Sequence, residues 1–276
     1  MNLVRAELLK MRTTSTWWIF GLILVPLWAL TVLANWGSTN ATLSSGSDQE
    51  GLSANQAEQV RAASESVNVA TNMYTSGQYV GILLILLLGA IVVTNEFFHL
   101  TATTTFLVTP RRENVVLAKV AAAVVFGMLF WAFTTIGNLI AVPFILRSMD
   151  VGGQLGEPAI WRAIGLNALA FALWAVVGVG AGVLIRSQLG ATLTLSILYV
   201  IGGSAISLGF FLLTEYVAEW ISNLQVLWPT NASQLMIAGT DLPGNPPRWV
   251  GALVLIGYAV VMGVIGTALT RRRDIS

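Results

Sequence analysis

Few side chains in this 276-residue chain are equipped for chemistry. There is no cysteine, so thiolate catalysis and disulfide bonds are excluded. A single histidine, His99, cannot form a histidine-cluster metal site. The lysines are Lys10 and Lys119, and neither follows a glycine. The G-x-x-x-x-G-K-[ST] phosphate loop is therefore missing, and the chain cannot bind ATP in that way. No acid–histidine pair or nucleophile motif stands in its place. What remains is TATTTFLVTPRRENVVLAK, Thr101 to Lys119, a polar and basic run set between two long apolar stretches. Threonines, a proline and an Arg-Arg pair make a poor membrane span, so this run must lie at a surface and touch something there.

The elements around it must position it. The chain is 55% hydrophobic and 10% charged, with a mean hydropathy of +0.76. A soluble domain usually carries about 25% charge, and this one would lack polar surface. The composition implies one all-α, polytopic membrane bundle over 1–276. The net charge of +1 is not gathered into a basic stripe, so no nucleic-acid partner is expected.

Charges punctuate the chain. Thr13–Ser47, Ser66–Asn95, Val120–Leu146, Ala163–Ile185, Ser187–Thr214 and Trp249–Thr270 contain none. A helix needs about 20 apolar residues to cross roughly 30 Å of hydrocarbon. Six transmembrane helices are predicted near Trp17–Trp36, Gln78–Thr94, Val116–Leu146, Ile164–Ile185, Leu189–Leu213 and Val250–Thr270. The short second one is expected to continue outward from about Val67. Trp17–Ala34 exceeds the 7–15 apolar residues of a signal peptide, so cleavage is not expected. Trp220–Thr240 is also uncharged but carries Asn223, Gln225, Pro229, Asn231, Ser233 and Gln234, too polar for lipid. A re-entrant, protein-covered hairpin within 214–249 fits it better.

Six crossings leave both termini on one side. That side holds Arg5, Lys10, Arg12, Arg111, Arg112, Lys119, Arg186 and Arg271–Arg273, against Arg61, Arg147, Arg162 and Arg248 on the other. The positive-inside bias puts both termini in the cytoplasm. Trp36, Trp161, Trp220, Trp228 and Trp249 would then line the outer interface, with Trp17 and Trp18 at the inner one.

The 37–77 segment becomes an extracellular loop whose second half reads either as a surface helix or as a spacer. In 1–16, Leu3, Val4, Leu8 and Met11 form a stripe opposite Glu7 and Lys10. That pattern fits a helix lying on membrane lipid at the inner interface, or else a short lead-in to the first span. No ionisable residue is expected deep in a span; Glu96, Lys119, Arg147 and Glu215 all sit at ends. Asn138 reads as helix-packing glue, and Gly178, Gly180 and Gly182 as sites of close helix approach.

The 95–115 connection is the sizeable cytoplasmic loop. Phe97, Phe98, Thr101, Thr105 and Leu107/Val108 recur at near-helical offsets until Pro110. A short amphipathic helix parallel to the membrane is expected, anchored in lipid or docked on a protein. Arg111 and Arg112 can serve inner-face anchoring and docking together.

The basic lead-in with Glu7, Lys10 and Arg12, the six spans, Glu96 ending the second, TATTTFLVTPRR, and Lys119 at the third together resemble a bacterial type-2 ABC exporter permease. The resemblance covers the chain in order of elements, and its sharp motif is Glu96–Lys119. It implies a coupling helix between spans two and three that docks in a cleft of a cytoplasmic ABC ATPase. It also implies a re-entrant outer hairpin before the last span, and a second permease chain, as a homodimer in the bacterial cell membrane. By position, Glu96, Thr101, Thr104, Thr105, Leu107, Pro110, Arg111 and Lys119 would build and flank the coupling element. Phe97, Phe98, His99, Phe106 and Arg112 share the stretch and join the candidate ATPase contact. Phe98 and Leu100 stand where relatives often carry Arg or Gly. ATP and Mg would be held by the ATPase, with no cofactor on this chain and no enzymatic activity of its own. The cargo would be amphipathic or apolar: a lipid, drug or peptide. A secondary transporter and a non-transporting sensor or assembly factor are the rival classes.

Overall fold

The computed structural model describes residues 2–44, 54–101, 105, 112–216, 219–241 and 244–272, and those residues are helical with short connections. The order is α1 (Asn2–Thr13), α2 (Thr16–Ser44), α3 (Ala54–Ser64), α4 (Ser66–Tyr74), α5 (Gln78–Phe98) and α6 (Arg112–Ser148). It continues with α7 (Pro158–Ile185), α8 (Gln188–Tyr216), a 3₁₀ helix (Glu219–Leu227), α9 (Pro229–Ile237) and α10 (Arg248–Arg272). Six helical segments are long and apolar enough to cross a membrane, the second being α4 and α5 together. They match the six predicted spans, each helix running somewhat beyond the predicted bounds. The chain is a multi-pass, membrane-type helical bundle.

Helix α5 is its axis. Two thirds of its apolar window is buried (67%), against 11% for α2 and 6% for α8, which turn their apolar faces outward. Close packing at the axis depends on small residues. A Cβ on Gly178 of α7 would collide with the Leu86 carbonyl oxygen of α5, and one on Gly182 would stand 2.6 Å from the Ala90 carbonyl. Gly180, on the opposite face of α7, meets Met262 of α10 in the same way. The GVGAG run therefore serves two helix contacts within one chain. Gly178→Leu is expected to force α5 and α7 apart and cost about 1–3 kcal/mol or more. Gly263→Ala, whose nearest neighbour is 3.8 Å away, should be neutral or stabilising. Thermal unfolding of the two purified variants checks this, and equal melting temperatures would remove the close-packing account.

The segment before α5 meets expectation in part: α3 lies at the surface, with Glu58, Arg61 and Ala63 exposed, and α4 is the outward continuation of the second span. Helix α4 is no surface helix: Val69, Ala70, Met73 and Tyr74 are buried beside Val142, Leu146 and Ile160. Its composition is mixed, and burial comes from neighbours distant in sequence. A break at Thr75–Gly77 separates it from α5. Gly77 has φ +86°, and a Cβ there would meet Trp28 at 2.7 Å, so glycine suits both the conformation and the space. Asn138 of α6 heals the break. Its Nδ2 donates to the carbonyls of Tyr74 (2.9 Å) and Ser76 (2.8 Å), and its Oδ1 accepts from Trp28 Nε1 (2.8 Å). Asn138 thus glues three helices together, satisfying carbonyls that a helix end leaves without partners.

The 3₁₀ helix and α9 form a compact unit before α10. Ser233 of α9 accepts a hydrogen bond from Trp174 Nε1 of α7 (2.7 Å) and donates to the Pro229 carbonyl (2.9 Å). Thr230 and Ser233 are buried, whereas Asn223 and Gln234 stay exposed.

The bundle has two distinct ends. At one end α1, the last turn of α5, the first turns of α6 and the tail of α10 meet, with Arg112 Nη1 donating to the Thr270 carbonyl (3.4 Å). At the other, Asn68 Nδ2 donates to Thr240 Oγ1 (2.7 Å), and the Gly239 carbonyl accepts from Arg162 (2.7 Å) and Arg248 (2.9 Å). Arg248 also pairs with Asp241 (2.7 Å). Hydrogen bonds from the Arg248 side chain and backbone hold the Asp241 carboxyl below its ordinary range.

A candidate coupling site built on four buried charges

Helix α1 ends in threonines that satisfy its own last carbonyls: Thr13 Oγ1 donates to Leu9 O (2.9 Å) and Thr14 Oγ1 to Met11 O (2.9 Å). The chain then bends, Trp17 Nε1 donates to Arg12 O (3.1 Å), and the Trp17 ring tilts against Phe126 of α6 at 6.0 Å. This fixes how α1 lies on the bundle. Residues four apart share a helix face, so Glu7 lies between Leu3 and Met11. It is not on a solvated face opposite them: Glu7 is 4% exposed and Met11 6%. The expected apolar stripe has a carboxylate in its middle.

That carboxylate enters a closed ring. Lys119 Nζ lies 2.8 Å from Glu7 Oε2 and 2.8 Å from Glu96 Oε1. Lys10 Nζ lies 2.7 Å from Glu7 Oε1 and 2.8 Å from the same Glu96 Oε1. Lys119 directs its remaining donor capacity toward the Val92 carbonyl (3.4 Å). Two cations and two anions alternate, each touching both opposites. Helix α1 supplies Glu7 and Lys10, α5 supplies Glu96, and α6 supplies Lys119. Since α6 begins at Arg112, Lys119 stands about two turns inside it, roughly 10 Å. It is 3% exposed. Lys119 thus keeps to the end of its span, as expected, yet it is sealed inside the bundle, and what makes this tolerable is its paired carboxylates.

Burial of ions is costly, and pairing offsets that only when every charge finds partners. The ring meets this condition with no net charge. Lys10 is its wet corner, with 48% of its side chain exposed. Burial alone would lower its pKa, but the hydrogen bonds it donates to Glu7 and Glu96 outweigh that and hold it above the ordinary lysine value. A raised lysine pKa means its contribution is complete below the unfolded-state pKa and fades as pH rises through the folded one. The ring should stay closed at neutral pH, and the Lys10 contribution should be lost under strongly alkaline conditions.

Glu96 is released to join the ring by the way α5 ends. The Thr101 N–H donates to the Glu96 carbonyl (2.9 Å) and the Leu100 N–H to the Phe97 carbonyl (3.3 Å), a Schellman-type closure with Leu100 at φ +56°. Leucine rarely adopts that conformation, which usually calls for Gly or Asn. Thr105 returns toward the ring, its Oγ1 donating to Thr101 O (3.1 Å) and lying 3.5 Å from Glu96 Oε1. A cleft of about 500 Å³ opens beside the ring between α1, α2 and α5, and Met11, Trp17, Ile91, Asn95, His99 and Thr101 help to line it.

The expected site residues fall into three groups. Glu96 and Lys119 meet in the ring, and Thr105 adjoins them. Phe97 and Phe98 belong to the last turn of α5 and not to a separate amphipathic helix. Phe97 packs on the core under the Arg186 guanidinium, 5.3 Å from its ring centroid. Phe98 is 68% exposed beside His99, and Leu100 is 85% exposed. Arg112 opens α6 and bonds α10. Thr104, Phe106, Leu107, Pro110 and Arg111 lie outside the described residues. Glu7 and Lys10 belong to the site although the sequence pointed to them only as a basic lead-in. The Leu3–Glu7–Met11 spacing was the available signal.

Among the described residues no cluster of three or more His, Cys, Asp or Glu is placed to hold a metal. The chain matches no known family model, and no curated protein matches it either.

Proposed function

We propose that this chain is the membrane-spanning permease subunit of an ABC exporter in a bacterial plasma membrane, with both termini cytoplasmic. A separate ATPase would bind and hydrolyse ATP with Mg, and a second permease chain would complete the path. The observation that supports this reading best is the ring of Glu7, Lys10, Glu96 and Lys119. It binds the amino-terminal helix, the end of α5 and the start of α6 into one unit at the base of the 99–111 connection. A push on that connection from a docked ATPase would reach all three helices together, because moving any one of them separates paired charges. The 3₁₀–α9 unit before α10 fits the re-entrant outer hairpin of such permeases, and the outward apolar faces of α2 and α8 are open to lipid or a second chain. Cargo would be amphipathic or apolar and would move outward.

A proton- or ion-coupled carrier is the second reading, favoured by the burial of ionisable Glu7, Glu96 and Lys119 within the bundle. The two separate in proteoliposomes. An exporter permease alone should neither bind nor hydrolyse ATP, since the phosphate loop is missing. It should co-purify with a Walker-motif ATPase and move cargo only when that ATPase turns over. Transport by the chain alone, driven by a proton or ion gradient, would replace the exporter reading with the carrier one.

A further inference from the structure

A second cleft lies at the opposite end of the bundle from the charge ring, between α2, α4, α5 and α9. It has a volume of about 430 Å³, within the range of small-molecule sites. Its wall is polar but uncharged: Asn35, Asn72, Thr75, Gln78 and Gln234 line it, and no acidic or basic side chain does among the described residues. Asn35 and Thr31 come from α2. A neighbouring cleft of about 540 Å³, also uncharged among the described residues, shares Gln234 and Ala238 with it, so the polar wall continues around α9.

One group in this wall is left without a partner. Gln78 is 7% exposed, and its Nε2 makes no hydrogen bond to the protein. Buried amide donors are nearly always satisfied, so this orphan, sealed just behind the cleft wall, would gain a partner if the Gln78 amide turned toward a ligand acceptor in the cleft. Around it the frame is rigid. Asn68 is saturated by Ala62 O (2.6 Å), Thr240 Oγ1 (2.7 Å) and the Thr240 N–H (2.9 Å), holding the segment after α9 against α4. Tyr79 lies at the edge with its ring 39% exposed and braced by Tyr199, 4.9 Å between centroids.

We propose that this cleft binds an uncharged, hydroxyl-rich group such as a glycosyl headgroup. The chemistry selects it in three ways. A side-chain amide offers a donor and an acceptor side by side, which suits hydroxyls that both donate and accept. A phosphate or carboxylate would need a cationic or strongly donating wall, and an ammonium would need a carboxylate; the wall has neither. The open face of Tyr79 can cover the apolar face of a sugar ring. The proposal does not depend on the exporter reading, because binding is expected of the chain without an ATPase.

The test uses the full chain in phosphatidylcholine nanodiscs prepared without glycoside detergents, with retained lipid counted by native mass spectrometry. Glucosyl diacylglycerol should be retained at least about tenfold better than diacylglycerol of the same acyl chains or phosphatidylglycerol. Gln78→Leu and Asn72→Ala should each lower that retention about fivefold, the worth of one neutral hydrogen bond. Asn72 is exposed, so its variant should fold even if the other does not. Displacement by millimolar free glucose would identify the ligand as a soluble sugar; lack of displacement would identify a lipid headgroup. Equal retention of the three lipids, or an unchanged preference in the folded variants, would overturn the proposal.

Discussion

Lys119→Met will destabilise the protein more than any other single change to the ring. It leaves the Glu7 and Glu96 carboxylates buried with only the half-exposed Lys10 between them, 2.7–2.8 Å from each. Removing one member of a buried ion pair typically costs about 3–5 kcal/mol, because the orphaned charge stays desolvated. Lower yield of monodisperse protein and a fall in apparent melting temperature are expected. Adding Glu96→Gln restores charge balance and should recover a large part of the loss. That recovery separates an electrostatic effect from simple loss of packing, since a second core substitution would otherwise only add damage. A Lys119→Met variant as stable as the wild type, or a double variant worse than the single, would show that the ring is incidental to the fold.

The second large effect concerns coupling. Phe106→Asp or Leu107→Asp should sharply weaken association with a partner ATPase while leaving insertion and abundance near normal. A docked coupling helix buries apolar side chains, each worth about 1.5–3 kcal/mol, and an unpaired charge in that contact adds further cost. Losses of this size weaken binding roughly 10- to 150-fold. Transport and any permease-dependent change in ATPase rate should fall with it. If pull-down of the ATPase is undiminished in both variants at normal expression, these residues have no coupling role and the segment is an anchored corner.

The outcomes of the two experiments are independent. The ring stands on the geometry of Glu7, Lys10, Glu96 and Lys119, whereas the role proposed for Phe106 and Leu107 follows from the resemblance of the Glu96–Lys119 stretch to permeases. A fragile Lys119→Met variant with normal ATPase binding in Leu107→Asp would keep the fold account and remove the exporter one.

Much of the bundle was legible in the sequence, since hydropathy is a local property. A charge-free run of sufficient length must form a helix to satisfy its backbone in lipid, whatever lies beside it. Hence the six segments could be read directly, along with the polar stretch before α10. The glycines of GVGAG and the lone Asn138 could be assigned to packing, as no other use for them lay in the surrounding apolar sequence.

Facing was another matter. Helix α4 carries alanines and polar residues that suit either a surface or an interior, and only contact with α6 and α7 buries Val69, Met73 and Tyr74. Glu7 shows the same dependence in its strongest form. A glutamate between apolar neighbours four residues away is destabilising if buried alone and unremarkable if solvated, so residues 1–16 could not decide between the two. Lys119 and Glu96, more than eighty residues further on, decide it, because an ion can leave water only where opposite charge is already held in place. Composition and hydropathy determined that this is a six-span helical protein without a nucleotide loop. The positions of its buried charges, and the uncharged cleft around Gln78, belong to the tertiary structure, where partners distant in sequence set the energy of each polar group.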